Sequence, residues 1–253
     1  MYNNIEERRK RKVLFQPLIL PHFFMLFFLA IFLLPFFLVF LGPIFRYGLG
    51  LPPALVILVV WFSLFGSAVN FPVKEVVSNQ PIIVSREVSF FGFRWVMPDV
   101  TTGEQRTIIA LNLGGAIIPI LVSIYLLTYS IPTYDPYPFS SYIKVIVVTV
   151  VVAIVAKKIS KVIPGLGIAI PGFIPPFLTV FVTLLVFRFY GLSNPYIIGY
   201  VAGTMGTLIG ADLLNLHKIS KLGVPLVSIG GAGTFDGIYL TGVVSVFLLF
   251  LLT

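Results

Sequence analysis

Asp212 and Asp236 are carboxylic acids set inside apolar stretches near the C-terminal end of the chain. The other seven of the nine acidic residues, Glu6, Glu7, Glu75, Glu87, Asp99, Glu104 and Asp135, fall in polar segments. A carboxylate at the centre of a membrane helix costs about 3 kcal/mol on insertion scales, so acids kept there mark sites of function. Two carboxyls a few ångströms apart cannot both ionise, and they share one proton at neutral pH. The ionised member takes a proton from water while the neutral one protonates a substrate carbonyl, which hydrolyses a peptide bond without a covalent intermediate. Glycines stand beside both acids: Gly210 before Asp212, and Gly230, Gly231, Gly233 and Gly237 around Asp236. Lacking side chains, they let an extended substrate backbone come close.

The same two acids admit other uses. In a transporter or channel they bind Na⁺ or H⁺, with Thr204, Thr207, Asn215, Thr234 and Thr241 as further oxygen ligands of the kind hard ions prefer. The glycine breaks at Gly114 and Gly115, next to Asn112, then direct backbone groups at the transported species. In a non-catalytic scaffold or assembly protein the acids cap broken helices or pair with Asn112 or lysines. No rival catalytic set is present. Ser228 and Ser245 have no histidine within reach, and His217 reads as an anchor in an interfacial turn. His22 and His217 are too far apart to suggest a metal site, and the chain has no cysteine, so thiolate chemistry and disulfides are excluded. Neither metal nor cofactor is expected.

These acids must be held by membrane helices. Mean hydropathy is +1.06, with 58% hydrophobic and 10% charged residues, which excludes a soluble globular domain. The expected fold is an all-α polytopic membrane protein, one domain over 1–253, with about seven transmembrane helices at 18–42, 49–70, 107–129, 142–163, 172–190, 196–216 and 225–252. The net charge of +8 resembles a nucleic-acid signal but follows from cytoplasmic Lys and Arg. With the N-terminus inside, 17 basic residues divide so that all but Arg46, Lys144 and Arg188 face the cytoplasm, giving an N-in, C-out, multi-pass protein of the cell membrane. The basic tail, 1–17, touches anionic head groups and precedes a retained first span rather than a cleaved signal peptide. The expected partners are the lipid bilayer and a membrane-protein or peptide substrate, not nucleic acid.

Residues 71–106, between the second and third spans, are rich in β-branched and aromatic residues and broken at Gly92. This pattern predicts a small cytoplasmic β-hairpin, either a lid or an edge strand that accepts an extended segment. Gly and Pro cluster at Asn70-Phe71-Pro72, Asn112 to Pro119, Pro164 to Pro176, Gly206 to Asp212 and Gly230 to Gly237, predicting several broken helices. The short turn His217 to Pro225 makes the last two spans antiparallel neighbours. On straight helices the two carboxyls would differ in depth by roughly one and a half turns, a mismatch that unwinding at Gly230 to Gly233 would reduce.

Gly233-Thr234-Phe235-Asp236-Gly237-Ile238-Tyr239-Leu240 resembles the G-x-G-D motif of the presenilin and signal peptide peptidase class, with Phe235 in place of the second glycine. Asp212, in Gly210-Ala211-Asp212, matches that class's partner acid on the preceding helix; no tyrosine precedes it. The class's Pro-Ala-Leu element follows both acids, whereas Pro53-Ala54-Leu55 precedes them here. The resemblance implies an intramembrane aspartyl protease. Through Asn112-Leu-Gly-Gly, Gly210-Ala-Asp-Leu-Leu and Gly230-Gly-Ala-Gly-Thr-Phe-Asp-Gly the whole chain also resembles an uncharacterised family of archaeal and bacterial integral membrane proteins.

Overall fold

The structure is a computed structural model that describes residues 14–15, scattered positions from 28 to 35, and the chain from 38 onward except 91–92, 164–166, 190, 222–225 and 233–235. Residues 14–15, 78–105, 162, 167 and 219–221 are described by their backbone alone. Most of the basic tail and of the expected first span, and Gly233 and Thr234, therefore lie outside the described residues.

Apolar helices make up most of what is described. Three are long and apolar enough to cross a membrane: α3 (Leu113–Tyr134), α4 (Pro138–Ile159) and α6 (Pro195–Lys218). Four shorter apolar helices accompany them: α1 (Leu38–Gly48), α2 (Pro53–Gly66), α5 (Ile174–Val186) and α7 (Gly237–Leu252). The chain is thus a helical membrane protein, and apolar side chains such as Phe181, Ile146 and Leu251 stand exposed on its outer surface for lipid to cover.

Local sequence sets the helix ends. Asn194 opens α6 by accepting the Tyr196 and Ile197 N–H groups at 2.9 and 3.2 Å, and Pro195 occupies the first helical position. Asn112 opens α3 in the same way, accepting from Gly115 N–H at 2.9 Å. α1 and α2 are separated by a break at Gly50, whose φ of +69° places it in the left-handed region that glycine adopts without strain.

The predicted hairpin is present and longer than expected. β2 (Val69–Phe90) and β3 (Phe93–Asn112) pair antiparallel from Asn70↔Asn112 to Phe90↔Phe93, with a bulge between Pro72 and Lys74. β1 (Leu14–Phe15) pairs with the base of β2. β6 (Leu226–Ile229) runs parallel to Ile108–Leu111 of β3, giving the order β1-β2-β3-β6. A second, two-stranded sheet joins β4 (Lys161–Ile163) to β5 (Gly167–Ala169). Strand therefore replaces helix at 107–112 and 226–229, where continuous spans were expected. Both are short β-branched apolar runs, which hydropathy does not distinguish from helix. Their backbone is tolerated among helices because β3 and β6 satisfy each other and bury Ile109, Ala110, Val227 and Ile229.

The helices meet through small residues. A Cβ on Gly210 would stand 2.3 Å from the Ala153 carbonyl of α4, one on Gly206 2.8 Å from Val152, and one on Gly203 3.1 Å from Thr241 of α7. Glycine at these points lets α6 lie against α4 on one side and α7 on the other, the usual device where no hydrophobic force draws helices together in lipid.

Candidate functional site: an acid pair between two helices

The α6–α7 seam fixes the relative height of the two acids. A Cβ on Gly203 would touch Thr241, and one on Gly237 would stand 3.7 Å from Thr207. Four residues along α6 thus match four in reverse along α7, as antiparallel helices require. By that register Asp236 lies opposite position 208, about 6 Å of helical rise from Asp212. The continuous last helix from 225 does not form. β6 and a glycine turn occupy 226–232, and α7 starts only at Gly237.

Asp212 ends a π-helical turn, Leu208–Asp212, after which the chain tightens into 3₁₀ turns over Leu213–Lys221. Single π turns inside α-helices recur at functional sites. Asp236 caps α7. Its Oδ1 accepts the Ile238 N–H at 3.0 Å. Both acids are half-buried. Among the described residues they are not hydrogen-bonded to each other, and neither forms an ion pair.

The glycine turn before Asp236 is pressed against the start of α3. Gly230, at φ +73°, has its Cβ position 2.7 Å from both the Ala116 nitrogen and the Gly115 carbonyl carbon. Gly231 N–H closes the turn on the Ser228 carbonyl at 3.1 Å. Asn112 braces the other side. Its Nδ2 donates to the Ser67 and Val69 carbonyls at 2.8 and 3.2 Å and to Asn70 Oδ1 at 3.1 Å. Gly114 sits where a Cβ would be 2.1 Å from the Ser63 carbonyl of α2. The starts of the two glycine motifs therefore meet, Gly230 on Gly115 and Ala116: each follows one of two adjacent parallel strands, and Asn112 caps α3 as Asp236 caps α7.

Asn112, Gly115 and Gly230 thus gather at the start of α3, Gly231 closes the turn on Ser228, and Gly237 packs on Ile170 beside Asp236. Gly210 and Asn215 belong to a different seam. Asn215, fully buried, donates to Ser160 Oγ at 2.8 Å and to the Gly210 and Ala211 carbonyls, and so ties the end of α6 to the end of α4. Among the described residues no three His, Cys, Asp or Glu side chains come together as metal ligands.

Two groups escaped sequence reasoning. Asn70 Oδ1 accepts both the Asn112 amide and the Ser228 hydroxyl, joining β2, β3 and β6 at one buried point; the only signal was the Asn70-Phe71-Pro72 break. Lys144, near the start of α4, is buried and donates to the Phe187 and Gly191 carbonyls at 3.0 and 2.7 Å and contacts Ser193 Oγ at 2.7 Å. Ser193 reaches Ser141 at 2.6 Å, and Ser141 reaches Asp135 at 2.6 Å. The chain of hydroxyls links cation to carboxylate and closes the α5–α6 turn at the end of α4 remote from the acid pair. A lone lysine in an apolar run was its only sequence trace.

Fold and site together define a helical membrane protein with two partly accessible acids on neighbouring helices, buttressed by a β-hairpin. The chain belongs to the DUF1614 family, described as a protein of unknown function, which matches residues 64–248 and so covers both acids and the hairpin. No curated protein matches the chain. No solved structure matches it either, so the presenilin likeness rests on the residues quoted for it.

Proposed function

We propose that the chain is an intramembrane aspartyl protease-like hydrolase in which Asp212 and Asp236 form the catalytic pair and the substrate is an extended segment of a membrane protein or peptide. The observation that carries this reading is the α6–α7 register, which sets two half-buried acids on neighbouring helices about 6 Å of helical rise apart. The reading takes 18–42, which overlaps the start of α1, as the first span and α2 to α7 as the other six, with the N-terminus and the hairpin cytoplasmic. Lys157, Lys158, Lys161 and Lys218 stand at the acid-bearing end of α4 and α6, as the positive-inside rule asks of a cytoplasmic face. In proteoliposomes containing a transmembrane peptide, the parent should release two fragments, and Asp212→Asn and Asp236→Asn should each release none. Undiminished cleavage by either variant defeats the proposal.

One observation favours a second reading, proton- or cation-coupled transport. Thr204, Thr207 and Thr241 line the α6–α7 seam, almost wholly buried, and among the described residues their hydroxyls have no hydrogen-bond partner. Unsatisfied hydroxyls cost about 1–3 kcal/mol each unless something occupies them. On this reading proteoliposomes show Na⁺ or H⁺ flux that disappears in both aspartate variants, and flat traces under both gradients count against it.

A further inference from the structure

The two acids occupy unlike positions in their helices. Asp236 sits at the N-terminus of α7, where unpaired N–H groups and the helix dipole favour negative charge. It accepts the Ile238 N–H at 3.0 Å, a bond stronger to a carboxylate than to a carboxylic acid. Asp212 lies within a helical run, where the neighbouring N–H groups serve helical carbonyls. No described residue donates a hydrogen bond to it. Cations do not even out the difference: Lys157, Lys158 and Lys161 of α4 and β4 and His217 of α6 are exposed, Lys218 is half-buried, and among the described residues none pairs with either acid.

Resting on the aspartyl-pair reading, we infer that the roles are fixed by this asymmetry: Asp212 holds the shared proton and is the general acid, while Asp236 is the ionised general base. The step balances on these two groups. Asp236 takes a proton from water as the hydroxyl adds to the substrate carbonyl carbon, and Asp212 gives its proton to the carbonyl oxygen, leaving a neutral gem-diol. On collapse the C–N bond breaks, Asp236 passes its proton to the departing amine, and Asp212 recovers one from the diol. Both acids return to their starting states. A pair whose proton location is built into the fold is ready before substrate arrives, whereas two equivalent acids would place it by mutual repulsion alone.

The test is infrared spectroscopy of the reconstituted protein at neutral pH, following the C=O stretch of a protonated carboxyl and its shift in deuterated water. The parent should show the band, Asp236→Asn should keep it, and Asp212→Asn should lose it. Asp135→Asn, remote from the pair, controls for the other hydrogen-bonded acid and should leave the band unchanged. A band that survives Asp212→Asn, that is lost in both pair variants, or that is missing from the parent overturns the assignment. The measurement needs no substrate, so it separates from the cleavage assay. Cleavage with the wrong band pattern removes only the role assignment, and the right pattern without cleavage removes only the protease reading.

Discussion

Asp236 has two separable duties, capping α7 and carrying an acid, and conservative substitution pulls them apart. Asparagine is as good an N-cap as aspartate, since its side-chain oxygen accepts the same N–H bond. Asp236→Asn should therefore melt within a few tenths of a kcal/mol of the parent. Alanine accepts nothing. It leaves the Ile238 N–H without its partner, for a loss of about 1–2 kcal/mol. For a chain of this size about 1 kcal/mol corresponds to roughly 2–4 °C in Tm, so Asp236→Ala should melt roughly 3–7 °C lower. The assay is a thermal melt in detergent micelles followed by intrinsic fluorescence, with cleavage measured on the same preparations. Both variants should be inactive, and only alanine destabilised. If asparagine and alanine melt together well below the parent, the carboxylate charge itself holds the fold and the capping argument fails. If they melt together at the parent's temperature, the cap contributes nothing.

Three further outcomes follow from close contacts elsewhere. Gly242→Ala drives a methyl to 2.3 Å from Thr204 Oγ1 and should cost about 1–3 kcal/mol by overpacking the α6–α7 seam; adding Thr204→Ala should restore most of it, and a double-mutant cycle on thermal melts reads the coupling. Gly230→Ala forces a left-handed residue, at φ +73°, against the Gly115–Ala116 backbone. It should cost about 2 kcal/mol or more and lower cleavage, where an equal substitution at the unobstructed Gly172 should do neither. Lys144→Met strips the donor from the Phe187 and Gly191 carbonyls and should destabilise by about 2–3 kcal/mol in denaturant titration, with activity of the folded fraction unchanged because the site lies at the other end of α4.

Hydropathy and charge made the helices readable, because a long apolar run such as Val145 to Ala156 has few ways to be satisfied in lipid except as a helix. The hairpin was readable too, from β-branched residues punctuated at Gly92. What stayed hidden depended on partners remote in sequence. Leu226–Ile229 carries the same apolar signature as a helix start and becomes strand only because Ile108–Leu111 lies beside it. Asp212 and Asp236 stood out as expensive residues, yet their relative height follows from Gly203 meeting Thr241 and Gly237 meeting Thr207, contacts that no local pattern encodes. The capping role of Asp236 was masked by its own charge, which drew attention to chemistry before geometry. Asn112 announced itself through the glycines after it, but its bond to Asn70 joins two ends of a hairpin.

The proposed chemistry requires Asp212 and Asp236 to lie across one seam from each other. The chain contains no cysteine, so Asp212→Cys combined with Asp236→Cys creates two thiols free of background. Treated in vesicles with a short bis-maleimide, that pair should link within the chain, read as an intact mass bearing one bridged reagent. The pair Asp212→Cys with Thr253→Cys, at the far end of α7, should carry two separate reagents. Separate reagents on the 212 and 236 thiols would place the acids apart and contradict the account.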